Sequence, residues 1–178
     1  IREYPLEQYY RDNRLNPIHE GTEGIHGLDL MGRKLSQRGG KGYRLFLAAA
    51  RASIAEAGTS KQCAGMAAAL NDAVGILDQV SSDLLQQVAA DVDLGLANAT
   101  AYLDLFGRVV VGWIWLRQAL VAERALEAGA EGSEADFYQG KLHAARYFMD
   151  WELASLASQA RLLSTGNRLT YDMQDAWF

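Results

Sequence analysis

Proline is nearly missing from this chain of 178 residues. There are two, Pro5 and Pro17, both in the first tenth. Proline breaks helix interiors and removes a ladder donor, so everything after Pro17 is open to long helices. Cysteine occurs once, at Cys63, which excludes an internal disulfide and fits a cytosolic compartment. Cys63 lies among Ala and Met with no histidine near it in sequence, and reads as a small core or surface thiol. Clustered positive charge is scarce. The net charge is −5, and the one basic run, Arg33, Lys34, Arg38, Lys41 and Arg44, reads as a solvated helix end. Nucleic acid is therefore not an expected partner. Long hydrophobic runs are also absent. The most apolar one, Val109–Leu116 (VVVGWIWL), is closed by Arg108 and Arg117 and falls far short of the ~20 residues that span a bilayer. It reads as a buried helix segment, and no membrane span is expected. The chain opens on Ile1-Arg2-Glu3 without a signal-peptide pattern or an initiator Met, like a piece cut from something longer.

What is present is helix. Ala, Leu, Gln, Glu and Arg, the better helix formers, are abundant. Residues 5–14 read as a short helix that Pro5 begins and Asn16-Pro17 ends, with 18–21 as a linker. A second helix is expected from Thr22, a good N-cap followed by Glu23 in the first turn, with Ile25, Leu28, Leu30 and Leu35 on its apolar side. Gly39-Gly40 marks a break. Beyond it, apolar residues recur at three-four spacing in four stretches. Tyr43, Leu47, Ala50, Ile54 and Ala57 form the first, closed by Gly58. Met66, Leu70, Ala73, Leu77, Val80, Leu84 and Val88 form the second, with a turn in Ala90–Asp93. Tyr102, Phe106, Val109, Trp113, Leu116 and Leu120 form the third, ended by Gly129 and Gly132. Leu142, Ala145, Met149, Leu153, Leu156, Ala160 and Leu163 form the fourth, opened by Ser133 with Asp136 as a capping pair and closed by Gly166. Four amphipathic helices on short connections predict an all-α antiparallel up-down bundle over residues 40–178, preceded by two shorter helices. The tail from Asn167 has no period and ends in Trp177-Phe178, which either pack back or dock on a neighbour.

The bundle offers little chemistry. His143 reads as a surface or satisfied histidine. Trp113, Trp115 and Trp151 read as core, and Met66, Met149 and Met173 as gap-fillers. The opening stretch, YYRDNRLNPIHEGTEG over residues 9–24, is richer. His19, Glu23 and His26 stand four and three apart, but His19 lies outside the expected helix and the spacing matches no zinc motif, so no metal site is expected. Glu20 sits between two helices, just before Gly21 and Thr22. A carboxylate held at a helix start has a fixed position and backbone N–H donors beside it. It can serve as a general base or simply assist capping, and spacing alone leaves both open.

YYRDNRLNPIHEGTEGIHGLDLMGRKL resembles the end of the catalytic domain of acyl-CoA dehydrogenases. In that family a helix ending in an "RD" pair leads into a "YEGT" loop and the final helix. The corresponding residues here are Arg11-Asp12 and His19-Glu20-Gly21-Thr22. Residues 1–38 would be the end of that catalytic helical domain. The helical extension of residues 40–178 resembles the larger members with a dedicated C-terminal domain, a group that includes enzymes assigned to methylthiopropanoyl-CoA.

The resemblance implies an FAD-dependent oxidoreductase, a flavoprotein of fatty acid metabolism, that turns an acyl-CoA thioester into a trans-2-enoyl-CoA. Glu20 maps onto the base that removes the α-proton. Gly21 maps onto a position where the missing side chain admits substrate, and Thr22 onto one that contacts the flavin's phosphate region. The weakly acidic α-proton requires a desolvated base and donors on the thioester oxygen; in the family these are the Glu backbone N–H and a flavin hydroxyl. His19 replaces the usual Tyr, and Glu23 and Gly24 replace residues that often carry a cofactor-contacting amide. The implied partners are acyl-CoA, an electron-transfer acceptor and further copies in a homo-oligomer, all for the intact enzyme; this piece alone is expected to bind no FAD and to be inactive. The alternative is a non-catalytic bundle that assembles subunits or covers the catalytic domain.

Overall fold

The computed structural model describes residues 6–18 and 22–178, and these are helical or in short connections up to Ser164, followed by a mostly irregular tail. Helix α1 (Leu6–Asn13) and the single turn α2 (Leu15–Ile18) come first, then α3 (Thr22–Asp29), which continues into a π turn at Leu30–Lys34. The bundle is formed by α4 (Gln37–Ala57), α5 (Ala64–Ala90), the short α6 (Val92–Leu96), α7 (Ala99–Glu127), α8 (Gly132–Tyr147) and α9 (Leu156–Ser164). A π turn at Phe148–Glu152 and a 3-10 turn at Leu153–Ser155 join α8 to α9.

Named contacts fix the directions. Along α4 and α7, Phe46 meets Phe106 with ring centroids 5.2 Å apart, Trp113 Nε1 donates to Ser53 Oγ at 2.9 Å, and Arg124 pairs with Glu56. These two helices therefore run the same way. Helix α5 runs against both, since Tyr43 donates to Ser81 at 3.1 Å and Ser81 meets the Tyr102 hydroxyl at 2.6 Å. The last limb also runs against α7: Arg108 reaches Ser155 at 2.7 Å and Gln159 reaches Asp104 at 3.0 Å. This is the expected up-down-up-down bundle.

The four apolar stripes make its core. Leu47, Leu70, Leu77, Val109, Leu116, Leu142 and Leu156 are buried. The break at residues 38–40 is sharp: Arg38, Gly39 and Gly40 have φ of 52°, 63° and 76°. This is the left-handed region that glycine enters freely and Arg does not. Asp91 is extended and its carboxylate caps α6 by accepting from the Leu94 N–H at 3.1 Å. Gly129 (φ 92°) and Gly166 (φ 61°) follow the ends of α7 and α9.

Several expectations are corrected. Helical structure does not stop at Asn16-Pro17, because Pro17 is the third residue of the single turn α2, and the first-turn N–H groups of a helix have no intrahelical acceptor. The buried side of α3 and its π turn is Gly27, Met31 and Leu35; Ile25 and Leu28 are exposed at 65% and 47%. The final limb is interrupted by its π turn. Here Ala145, Met149 and Leu153 are buried at successive spacings of four. Two such steps exceed two α turns of 3.6 residues, and the wider turn absorbs the excess. Gly27, Met31 and Leu35 repeat this spacing over the other π turn. Ser133 lies inside α8 rather than at its cap, which is Glu131. Trp151 is on the surface, stacked on Tyr147 at 5.7 Å. Met173 is likewise exposed, and Trp177 and Phe178 do not pack back.

Helix α7 is long and apolar enough to cross a membrane by length and composition. Its place is the centre of the bundle, with Tyr102, Leu105, Val109 and Leu116 fully buried. The run from Val109 to Leu116 is buried on one side only, since Val111 and Ile114 face out.

Candidate functional site

Of the three expected site residues, Glu20 and Gly21 lie outside the described residues, as does His19. Thr22 is the first residue of α3 and is half-buried. Glu23 and His26 are exposed on the same helix. Among the described residues no three His, Cys, Asp or Glu side chains gather as metal ligands.

What the structure does define is how the helix after the loop is seated. Gly27, one turn beyond Glu23, lies against the start of α7. A Cβ on Gly27 would stand 2.7 Å from the carbonyl oxygen of Ala99 and 3.0 Å from the Thr100 nitrogen. The two helices thus meet backbone to backbone, and only glycine permits it. The π turn then carries Met31 and Leu35 into the core. At its entrance Asp29 accepts from Arg33 at 2.5 Å and lies 3.4 Å from Lys34. The hydrogen bond from Arg33 holds the Asp29 carboxyl below its usual range. These contacts tie the described end of α3 to the bundle and leave Ile25 and Leu28 on its outer side.

Two polar centres were not expected from the sequence. The first joins α4, α5 and α7: Ser81 donates to the Leu77 carbonyl at 2.6 Å, meets Tyr102, and accepts from Tyr43, which also donates to Asp78 at 3.2 Å. Arg51 closes the group on Asp78 at 3.0 Å. Burial pushes the Tyr43 phenol up to about 12, and Tyr102 is pushed up further by the same cause. The second lies where α5 begins. Glu123, on α7 and buried, accepts from the Ser60 hydroxyl and from the Gln62 N–H at 3.0 Å. Ser60 in turn accepts from the Cys63 N–H at 2.7 Å. Desolvation works to raise the Glu123 carboxyl, but the donors from Ser60, Gln62, Cys63 and Lys61 outweigh it and hold it low. One signal of this centre was in the sequence: Glu123 continues the buried stripe three residues after Leu120. Cys63 itself is fully buried and its thiol is pushed up by that burial, which makes it a poor nucleophile. His143 is exposed on α8.

Residues 46–174 match the family model described as acetyl-CoA dehydrogenase C-terminal like. The chain belongs to this acyl-CoA dehydrogenase C-terminal family. It is 32% identical to a broad-specificity linear acyl-CoA dehydrogenase of Mycobacterium tuberculosis, over the whole of this chain and 30% of the relative. It is 32% identical to a 3-methylmercaptopropionyl-CoA dehydrogenase of Ruegeria pomeroyi, over 95% of this chain and 29% of the relative. A butyryl-CoA dehydrogenase of Syntrophomonas wolfei is 25% identical over the whole chain and 29% of its own length. The chain thus spans about 30% of the length of the curated relatives it matches. The family match runs over all four helical limbs of the bundle, from within α4 to beyond α9.

Proposed function

We infer that this chain is the C-terminal part of an FAD-dependent acyl-CoA dehydrogenase, with Glu20 as the base that removes the substrate α-proton in the intact enzyme. The observation that carries this reading is the 32% identity, over the whole of this chain, to a dehydrogenase of linear acyl-CoA; the "RD" and "EGT" stretch adds its own resemblance to the family. Residues 1–38 then close the catalytic domain, and residues 40–178 are the added helical domain. The left-handed break at residues 38–40 supports that boundary.

The chemistry follows from residue type. A thioester α-C–H is weakly acidic, so a carboxylate can deprotonate it only from a site dry enough to raise its own pKa. Gly21 beside Glu20 leaves room for the thioester to approach, and its lack of a side chain keeps the loop backbone accessible. Among the described residues, the donor set that fits the cofactor is small. Thr22, in the first turn of α3, suits one phosphate oxygen, while the neighbouring Glu23 carboxylate does not. This chain therefore offers one edge of a cofactor site, and most of the site belongs to the rest of the enzyme. FAD, when bound there, supplies the acceptor for the β-hydride. The seat of Gly27 on Ala99 ties α3, and with it the stretch after Glu20, to the rigid bundle.

Glu20→Gln in the full-length enzyme tests the assignment. The variant is expected to bind FAD and to show no flavin bleaching when acyl-CoA is added. Bleaching at the wild-type rate would remove Glu20 from the role.

A second reading, compatible with the first, makes residues 40–178 a packing module that covers the catalytic domain or assembles subunits. The exposed apolar residues of the tail, among them Leu169, Trp177 and Phe178, favour it. Removing residues 40–178 from the full-length enzyme should then change its oligomer size, or its acyl-chain preference if the module shapes the pocket. Unchanged values of both would leave this second reading without support.

A further inference from the structure

The outer side of α7 and the facing side of α8 enclose an open cleft of about 470 Å³. Clefts of about 300–1,000 Å³ are the size that holds small organic ligands. Its floor and walls include Ile114, Val121, Phe137 and Tyr138. Three of these are more exposed than core residues of their type, at 39% for Ile114, 56% for Val121 and 58% for Phe137. Among the described residues the charged side chains lining it are Arg117 and Lys141, both positive in a chain whose net charge is −5.

Neither cation is held by a carboxylate among the described residues. Among the described residues seven Arg and Lys side chains enter ion pairs with carboxylates, and Arg117 and Lys141 belong to those that do not. They rest instead on aromatic faces. The Arg117 guanidinium lies 5.4 Å from the Trp113 ring centre, and Lys141 Nζ lies 5.5 Å from Trp115 and 5.4 Å from Phe137. An aromatic face attracts a cation without neutralising it. The charge therefore stays available to an anion, while the side chain is held at the edge of the apolar floor. Arg117 stands on α7 and Lys141 on α8, so each wall of the cleft carries one cation. Arg supplies a planar fork for a carboxylate and Lys a point charge.

We propose that this cleft binds a free amphiphilic carboxylate, an apolar chain ended by one carboxylate, with the chain against Ile114, Val121 and Phe137 and the carboxylate between Arg117 and Lys141. The occupant follows from complementarity. A neutral apolar molecule would leave two cations unmet, and a small anion would leave three apolar side chains in water. A long acidic segment of protein has more charge than the cleft's two cations match. The proposal is independent of the role assigned to Glu20.

The probe is decanoate, kept below its micelle concentration and titrated into the full chain while amide resonances are followed by nuclear magnetic resonance. Decanol supplies the same chain without the charge, and acetate the charge without the chain. Saturable shifts gathered around Ile114, Arg117, Val121, Phe137 and Lys141 are expected with decanoate. Binding should weaken at least about tenfold, or 1.4 kcal/mol, for decanol and for the double variant Arg117→Gln/Lys141→Gln. Acetate should produce no saturable shift. Val121→Ser is the independent arm. It keeps both cations and should weaken decanoate, and the amide spectrum of each variant reports whether it is folded. The proposal is overturned if decanol matches decanoate, if the folded double variant binds decanoate as wild type does, or if the shifts lie elsewhere or fail to appear. Two further outcomes overturn it in favour of a different occupant. One is co-sedimentation with phosphatidylglycerol vesicles without binding of monomeric decanoate, which marks a lipid surface. The other is the same set of shifts arising with protein concentration alone, which marks a second copy of the chain.

Discussion

Gly27 touches the backbone of Ala99 so closely that a single methyl group on it would lie 2.7 Å from the Ala99 carbonyl oxygen. Nothing at that site is the far end of a flexible side chain, so the helices themselves must separate. Overfilling a packed contact costs typically 1–3 kcal/mol. Gly27→Ala is expected to lower the melting temperature by several degrees, at roughly 2–4 °C per kcal/mol for a domain of this size. It should also raise hydrogen exchange in α3 before the rest of the bundle. An unchanged melting curve would mean that α3 is not anchored by this contact.

The same substitution changes sign with its surroundings. A Cβ on Gly95 would stand 2.5 Å from the Val88 nitrogen, whereas a Cβ on Gly75, inside α5, would meet nothing within 4 Å. Helical glycine is about 1 kcal/mol less favourable than alanine when nothing opposes the methyl group. Gly75→Ala should therefore raise stability by roughly 0.5–1 kcal/mol, and Gly95→Ala should lower it. Urea denaturation of the two variants side by side decides this. Equal effects of either sign would refute the packing argument.

The Ser81–Tyr102 contact is buried and shared with Tyr43. Tyr102→Phe removes one hydroxyl and leaves Ser81 its bonds to Leu77 and Tyr43, so a loss of about 0.5–1.5 kcal/mol is expected. A cycle with Ser81→Ala should show coupling, because the two groups are in direct contact. Additive losses would mean that the contact contributes nothing of its own. The tyrosines also set an alkaline limit. A folded pKa raised by burial means stability that is fully present below the unfolded value of about 10 and is lost as pH rises through the folded value. For Tyr43 that value is about 12. Wild-type stability should decline over this window, and Tyr43→Phe should flatten the decline.

The bundle was legible because its code is simple. Stripes such as Met66, Leu70, Ala73, Leu77 and Val80 can belong only to helices buried on one side, and Gly39-Gly40 and Gly129 can be read as breaks from residue type alone. The two π turns were not read, although spacing of four and four around Met31 and around Met149 was their trace. The outward-facing Ile25, Leu28, Ile114 and Val121 have the composition of core residues, and hydropathy does not say which side of a helix another element covers. Trp151 was misplaced for the same reason. The buried polar centres depend on partners 21 to 63 residues apart, Ser81 with Tyr102 and Ser60 with Glu123, and only the assembled fold brings these together. For the candidate site the resemblance of the "EGT" motif proposes Glu20, Gly21 and Thr22; of these the structure describes Thr22, and it adds the seat of α3.

Glu123 provides a test at the acid end. Its carboxylate sits inside the bundle and takes the place of a cap for α5, accepting from Ser60 and from the Gln62 N–H. Glu123→Ala leaves those donors without their acceptor, and an unsatisfied buried group costs about 1–3 kcal/mol. Glu123→Gln keeps an acceptor oxygen but loses the charge, so it should fall between wild type and Ala near neutral pH. The folded carboxyl is held below its ordinary value of 4.5. A lowered pKa means that the ionised form stabilises the fold. That stabilisation is present above the unfolded value and disappears as pH falls through the folded one. Denaturation measured from pH 7 down to pH 3 should therefore show wild type losing its advantage over Glu123→Gln as the acid is protonated. A constant gap between the two across that range would show that the charge of Glu123, as distinct from its shape, does not hold the start of α5.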